Sequence, residues 1–137
     1  MDRRIIADTS GIIAFLDRDD RYHSQTVNIV QNYQIYVSVT VLPEVDYLVT
    51  KYLGERVART FLEDLTDGYF NYLEISLENI NKAKKLMARY KDLPLGFVDA
   101  SLVTLASYHQ IKKILTLDRR HFHLLQSDSI NYFEILP

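Results

Sequence analysis

The sequence predicts an α/β fold, with a parallel sheet between helices, and three features carry that prediction. Short runs of β-branched and aliphatic residues, such as Ile5-Ile6-Ala7 and Ile114-Leu115, recur along the chain. They are continuous rather than alternating, the pattern of strands covered on both faces. Stretches with apolar residues at helical spacing separate them, which argues for βαβ units. No repeat, low-complexity tract or linker interrupts the 137 residues, so a single domain over 1–137 is expected.

The elements follow in order. A strand is expected over residues 3–8 and a short helix over 10–17, with Ile12, Ile13, Phe15 and Leu16 as its apolar residues. Residues 20–33 place Tyr22, Val27, Val30 and Tyr33 at helical spacing, and 35–39 form a second strand. From 40 to 53, Leu42, Val45, Leu48, Val49 and Tyr52 keep a helical period. Pro43 fits that helix because it falls in the first turn, where its missing N–H is not needed. Residues 55–65 continue helical after Gly54, Asp67-Gly68 is a turn, and 70–75 is a third strand. Ser76 is placed to cap the next helix, whose stripe is Leu77, Ile80, Ala83, Met87 and Tyr90. The run Asp92-Leu93-Pro94-Leu95-Gly96 breaks it, with Asp92 read as a turn residue. Residues 97–109 are apolar nearly all round and should make the most buried helix. A strand over 113–117, a helical turn over 119–125 and a last strand over 131–136 complete the chain.

At 47% hydrophobic and 25% charged residues, the composition is that of a globular domain able to build its own core. The absence of cysteine excludes a disulfide scaffold and a thiolate metal site. No stretch reaches the roughly 20 apolar residues of a membrane span. The N-terminus lacks a signal-peptide pattern, so the cytoplasm is the expected location. A net charge of −2 does not advertise nucleic-acid binding. Cations nevertheless cluster at Lys82, Lys84, Lys85, Arg89 and Lys91, and again at Lys112, Lys113, Arg119 and Arg120. The ten tyrosines and six phenylalanines read as core or interface rather than as nucleotide platforms.

Four acids stand where apolar residues dominate. Asp8 closes Ile5-Ile6-Ala7, Asp118 closes Ile114-Leu115-Thr116-Leu117, Asp99 lies inside residues 97–103, and Glu44 follows Val41-Leu42-Pro43. A buried, unpaired carboxylate is costly, so such acids call for compensation. Asp8 and Asp118 taken singly could equally be helix caps, whereas Glu44 lacks the Ser or Thr three residues earlier that a capping box requires. Clustered carboxylates repel one another, so at neutral pH a cluster needs cations, and an all-oxygen set suits Mg²⁺ or Mn²⁺. Two such ions can activate water and stabilise the leaving oxygen of a phosphodiester. Thr9 and Ser10 offer hydroxyls and amides to a metal or phosphate, or equally to a helix N-terminus. In a parallel sheet, Asp8, Asp118 and Glu44 would fall at the carboxyl ends of strands, where ligands gather.

The phrases Ile6-Ala7-Asp8-Thr9-Ser10-Gly11, Glu44, the run 92–102 and Thr116-Leu117-Asp118-Arg119-Arg120-His121-Phe122, taken in order, resemble a PIN domain. More narrowly, they resemble the VapC-type toxins of toxin–antitoxin pairs, over essentially the whole chain. The resemblance implies a three-layer α/β/α fold with a central parallel sheet of about five strands. It further implies an Mg²⁺- or Mn²⁺-dependent endoribonuclease acting on single-stranded RNA. A homodimer, and neutralisation by a small antitoxin that docks along residues 20–33 and 40–65, are implied as well. Tyr22, Tyr33, Tyr47, Tyr52 and Phe61 lie along that flank. Asp8, Glu44, Asp99 and Asp118 match the family's acidic site, with Asp8, Asp99 and Asp118 as metal ligands. Many relatives carry an acid where Gly96 stands, so a ligand from that position is missing and the number of metals stays open.

Other families fit less well. A haloacid-dehalogenase phosphatase needs a second Asp two residues after Asp8, where Ser10 stands. A response-regulator receiver needs an acidic pair before its phosphoacceptor and a Lys closing its last strand. A nucleotide-binding loop needs clustered glycines, and the four present are dispersed. The alternative from a different class is a PIN-like module that binds RNA or protein without cutting.

Overall fold

In the computed structural model, which describes all residues except 94, 124, 128 and 131 and only the backbone of 120 and 121, five parallel strands form one sheet. The strands are β1 (Arg4–Ala7), β2 (Gln34–Ser38), β3 (Asn71–Leu73), β4 (Lys113–Leu115) and β5 (Glu134–Leu136), in the order β3-β2-β1-β4-β5. The helices are α1 (Thr9–Leu16), α2 (His23–Asn32), α3 (Leu42–Leu53), α4 (Glu55–Thr66), α5 (Leu77–Arg89), α6 (Phe97–His109) and α7 (Arg119–His123). A 3-10 turn, Val39–Val41, precedes α3.

The expected fold class and its five strands are present, and the differences lie at element ends. The third, fourth and fifth strands are each only three residues long. Asp8 and Asp118, expected as last strand residues, both lie beyond their strands, because β1 stops at Ala7 and β4 at Leu115. Asp8 instead caps α1. Pro43 falls in the first turn of α3, as its chemistry requires. Pro94, Leu124 and Asn131, and the side chains of Arg120 and His121, belong to expected segments but lie outside the described residues.

The topology explains where a site can form. From β1 the chain steps outward to β2 and β3, then crosses back to β4 and β5 on the other side of β1. Right-handed crossovers in opposite directions put α1–α4 on one face and α5–α6 on the other. The strand order therefore reverses between β1 and β4, which opens a crevice at their carboxyl ends. Registers Ile6↔Ile114 and Ala7↔Leu115 hold these two strands together.

The central helix behaves as its composition dictates. Residues 100–106 of α6 are all buried, the longest such run in any helix among the described residues. Its C-terminus ends on Gln110 in the left-handed conformation, φ 56°. There the Arg4 guanidinium donates to the carbonyls of His109 (2.9 Å) and Gln110 (3.0 Å), satisfying acceptors the helix leaves open. The same guanidinium holds the Asp2 carboxyl down at about 2.

One glycine is demanded by close approach. A Cβ on Gly11 would overlap the Leu115 carbonyl oxygen and come within 2.8 Å of Leu115 Cγ. Helix α1 thus lies against β4 with no room for a methyl group. Gly11→Ala is expected to destabilise the fold by about 1–3 kcal/mol, the usual cost of overpacking, read as a lower midpoint in urea with an unchanged slope.

Candidate active site

Asp8 is the anchor of the site. It is buried, with 7% of its surface exposed, and its carboxylate accepts bonds from two sides. Oδ1 accepts from the Gly11 amide (2.9 Å) and the Ser10 hydroxyl (2.7 Å), while Oδ2 accepts from the Thr116 hydroxyl. Each hydroxyl is in turn polarised by an amide of the segment after β4. Leu117 N–H donates to Ser10 Oγ (2.9 Å) and Asp118 N–H to Thr116 Oγ1 (2.9 Å). Both hydroxyls therefore point their protons at Asp8, an arrangement that suits the ionised form.

Burial works the other way and wins. It pushes the Asp8 pKa above the ordinary carboxylate value against the three hydrogen bonds, and the Asp99 charge adds to the rise. Repulsion within the acid cluster is thus the lesser cause, and desolvation the greater.

The remaining acids converge on Asp8 without sharing its burial. A cleft of about 590 Å³ is lined by Asp8, Thr9, Ser10, Glu44, Asp99 and Asp118, together with Ile13, Leu48 and Gly96 to Val98. Asp99 is half-buried, and Glu44 and Asp118 are exposed. The expectation of four buried acids therefore holds for Asp8 alone. Asp99 is not in the middle of its helix but in its first turn, where the α6 dipole favours a negative charge. Glu44 occupies the first turn of α3, where no side-chain cap is present. Asp8 caps α1 and lines the cleft at once.

A hydroxyl relay ties the 3-10 turn before α3 to α6. Ser101 Oγ, on buried Ser101, donates to Thr40 Oγ1 at 2.7 Å, and Thr40 is bonded to Ser38 Oγ at 2.7 Å. The end of β2 is thereby tied to the start of the helix bearing Asp99. Thr116 and Ser101 carry structural weight in the site that the sequence pattern does not reveal. The signal for Thr116 was a hydroxyl inside the apolar run 114–117, where it proves fully buried.

The donor set suits a hard cation. It consists of carboxylates and hydroxyls, and Thr9 Oγ1 is a buried oxygen at the cleft with no hydrogen-bond partner among the described residues. Among the described residues, no three acidic or imidazole side chains stand close enough to hold an ion as they are placed. Oxygen chemistry thus fits, while the acids converge on the cleft more loosely than a filled coordination shell.

The PIN domain family pattern matches residues 5–125. The chain belongs to the PIN domain family. Ribonuclease VapC26 of Mycobacterium tuberculosis is 30% identical over 135 residues, covering 97% of this chain and all of that protein. Two solved structures share the PIN fold. One is VapC20 of M. tuberculosis, described as a sarcin–ricin loop cleaving toxin, with TM-score 0.77 at 19% identity over 83% of this chain and 89% of that one. The other is a toxin–antitoxin complex from Klebsiella pneumoniae, with TM-score 0.66 at 22% identity over 88% and 92%. No helix among the described residues is long and apolar enough to cross a membrane.

The site carries a pH signature. A group whose folded pKa is raised contributes most below its unfolded value, and its contribution is lost as pH rises through the folded one. Metal-free protein is therefore expected to lose stability as pH rises above the ordinary carboxylate range. Thermal melts of wild type and Asp8→Asn across that range check this, since the Asp8-dependent slope disappears in the variant.

Proposed function

We propose that this PIN domain is a divalent-metal-dependent endoribonuclease that cuts single-stranded RNA and serves as the toxin of a toxin–antitoxin pair. The observation that carries the reading is the convergence of Asp8, Glu44, Asp99 and Asp118, from four separated stretches of chain, on one cleft at the switch point. The 30% identity to a protein named a ribonuclease supports the reaction class.

Asp8, Asp99 and Asp118 would hold Mg²⁺ or Mn²⁺, with Thr9 and Ser10 beside them. Bound there, the cation supplies charge neutralisation for the phosphodiester and lowers the pKa of water. The chain's own groups do the rest. Ser10, Gly11 and Thr116 keep the Asp8 carboxylate in one orientation. Glu44, exposed on the first turn of α3, orients the attacking water and accepts its proton. The water oxygen bonds to phosphorus, the opposite P–O ester bond breaks, and the departing oxygen takes a proton from solvent. The first amides of α6, which has no side-chain cap, border the cleft and favour a phosphate oxygen.

The antitoxin partner is supported by the fold shared with the Klebsiella complex. Tyr47 and Tyr52 on α3 are exposed and offer it a surface, whereas Phe61 is core and Tyr22 and Tyr33 are half-buried. A homodimer in the cytoplasm completes the proposal. The competing reading is a binding module that does not cut, favoured by the lack of a metal-ready triad among the described residues.

Asp99→Asn keeps the shape and removes the charge. It is expected to lower cleavage of a single-stranded oligoribonucleotide at least about 10²–10³-fold with an unchanged circular dichroism spectrum. Activity that persists in this variant or in EDTA would sink the assignment. Wild type giving no Mn²⁺ isotherm by calorimetry would favour the binding module.

Gly96 supplies a second test. It caps α6, and a Cβ there would meet nothing within 4 Å, so the glycine is not sterically required. Gly96→Asp is expected to tighten Mn²⁺ binding, because affinity follows ligand charge. It should also stabilise α6 by a few tenths of a kcal/mol, about the gain of Asp over Gly at a cap.

A further inference from the structure

Among the described residues the catalytic cleft is lined by four acids and no cation, an electrostatic environment that by itself repels a polyphosphate. A second groove on the same helix has the opposite character. It lies between α5 and α6, has a volume of about 280 Å³, and is lined among the described residues by three cations and no acid. Lys82, Lys85 and Arg89 of α5 fall at i, i+3 and i+7, on one face, with Leu86 and Val103 as floor. Across from them, α6 presents Thr104, Ser107 and Tyr108.

Two details make this groove more than a solvated charged face. Arg89 donates to the Gln126 carbonyl (3.3 Å), and the Gln126 amide donates to the Tyr90 hydroxyl (3.0 Å), so the segment that leads into Ser127 of the groove is tied to the end of α5. Tyr108 is 64% exposed at the rim, with its ring edge-on to His109, and offers a stacking surface. The nearby acid Glu78 only approaches Lys82, at 3.7 Å with both side chains exposed, a weak pair.

We propose that the α5–α6 groove is a binding site for the sugar–phosphate backbone of single-stranded RNA, with Lys82 and Lys85 on phosphates and Tyr108 against a base. This rests on the ribonuclease reading and adds a place where substrate is held apart from where it is cut. Cations, hydroxyl donors and an exposed ring are the elements of single-strand recognition. Along α6, Asp99 and Ser107 are separated by ~12 Å of rise and ~80° of rotation. That is within reach of a few nucleotides. The groove therefore supplies attraction that a chain of net charge −2 lacks as a whole.

The test compares wild type with Lys82→Ala/Lys85→Ala. Both lysines are exposed, so the fold is retained. The probe is a fluorescent single-stranded oligoribonucleotide of about 16 nucleotides, followed by anisotropy and by cleavage with Mn²⁺ over a salt series. The double variant is expected to raise Kd and KM about 10-fold, to leave kcat unchanged, and to flatten the log Kd against log salt slope by roughly 1.4, two single-strand contacts. Lys82→Arg/Lys85→Arg should restore all three. Lys51→Ala/Lys112→Ala, which removes the same charge elsewhere, should leave them near wild type. An unchanged KM and slope in the groove variant, or an equal change in the control pair, overturns the groove while the nuclease stands. RNA binding that depends on the groove without any cleavage overturns the nuclease while the groove stands. A shift in oligomeric state with RNA parameters unmoved assigns the surface to a protein partner and overturns the proposal.

Discussion

A carboxylate taken out of water has to be satisfied from several sides, and around Asp8 that requirement joins β1, α1 and the segment after β4. Three groups donate to its two oxygens, and two of them are hydroxyls whose own acceptor positions are filled by backbone amides. Removing the Thr116 hydroxyl would take from Oδ2 the donor that satisfies it, at the cost of about 1–3 kcal/mol for a stranded buried acceptor. The pairing of β1 with β4 and the approach of α1 to Leu115 are therefore not separable from the charge they surround. The cage also explains why Asp8 can be both the cap of α1 and the deepest acid of the cleft.

The other acids are positioned rather than buried. Asp99 and Glu44 each sit in the first turn of a helix, where the dipole lowers the cost of a negative charge at the mouth of the crevice. Hydroxyl contacts among Ser38, Thr40 and Ser101 fasten α6 to the end of β2 and the turn that leads into α3. At the far end of α6, Arg4 caps the helix from the first strand. Helix α6 is thus held at both ends, and the acid at its N-terminus inherits that rigidity.

Charge on this molecule is sorted by position. A net value of −2 conceals an acidic cleft at one end of α6 and a cationic groove further along it. Local fields, not the total, act on a flexible polyanion within a Debye length of the surface.

The sequence by itself determined the order and type of the elements, because continuous apolar runs and helical periods are local patterns that report burial directly. It also marked the four acids, since each interrupts such a run. It misjudged their burial, because a position next to apolar residues along the chain, like Glu44 or Asp118, can still face outward at a helix start or in a loop. Only the tertiary structure decided that Thr116 and Ser10 would direct their hydroxyls at Asp8, and that Gly11 had no room for a methyl group. It alone gathered Lys82, Lys85 and Arg89 opposite Tyr108. Those relations join residues far apart in the chain, and their physical basis is the register of β1 on β4 and the packing of α5 on α6, which no local pattern encodes.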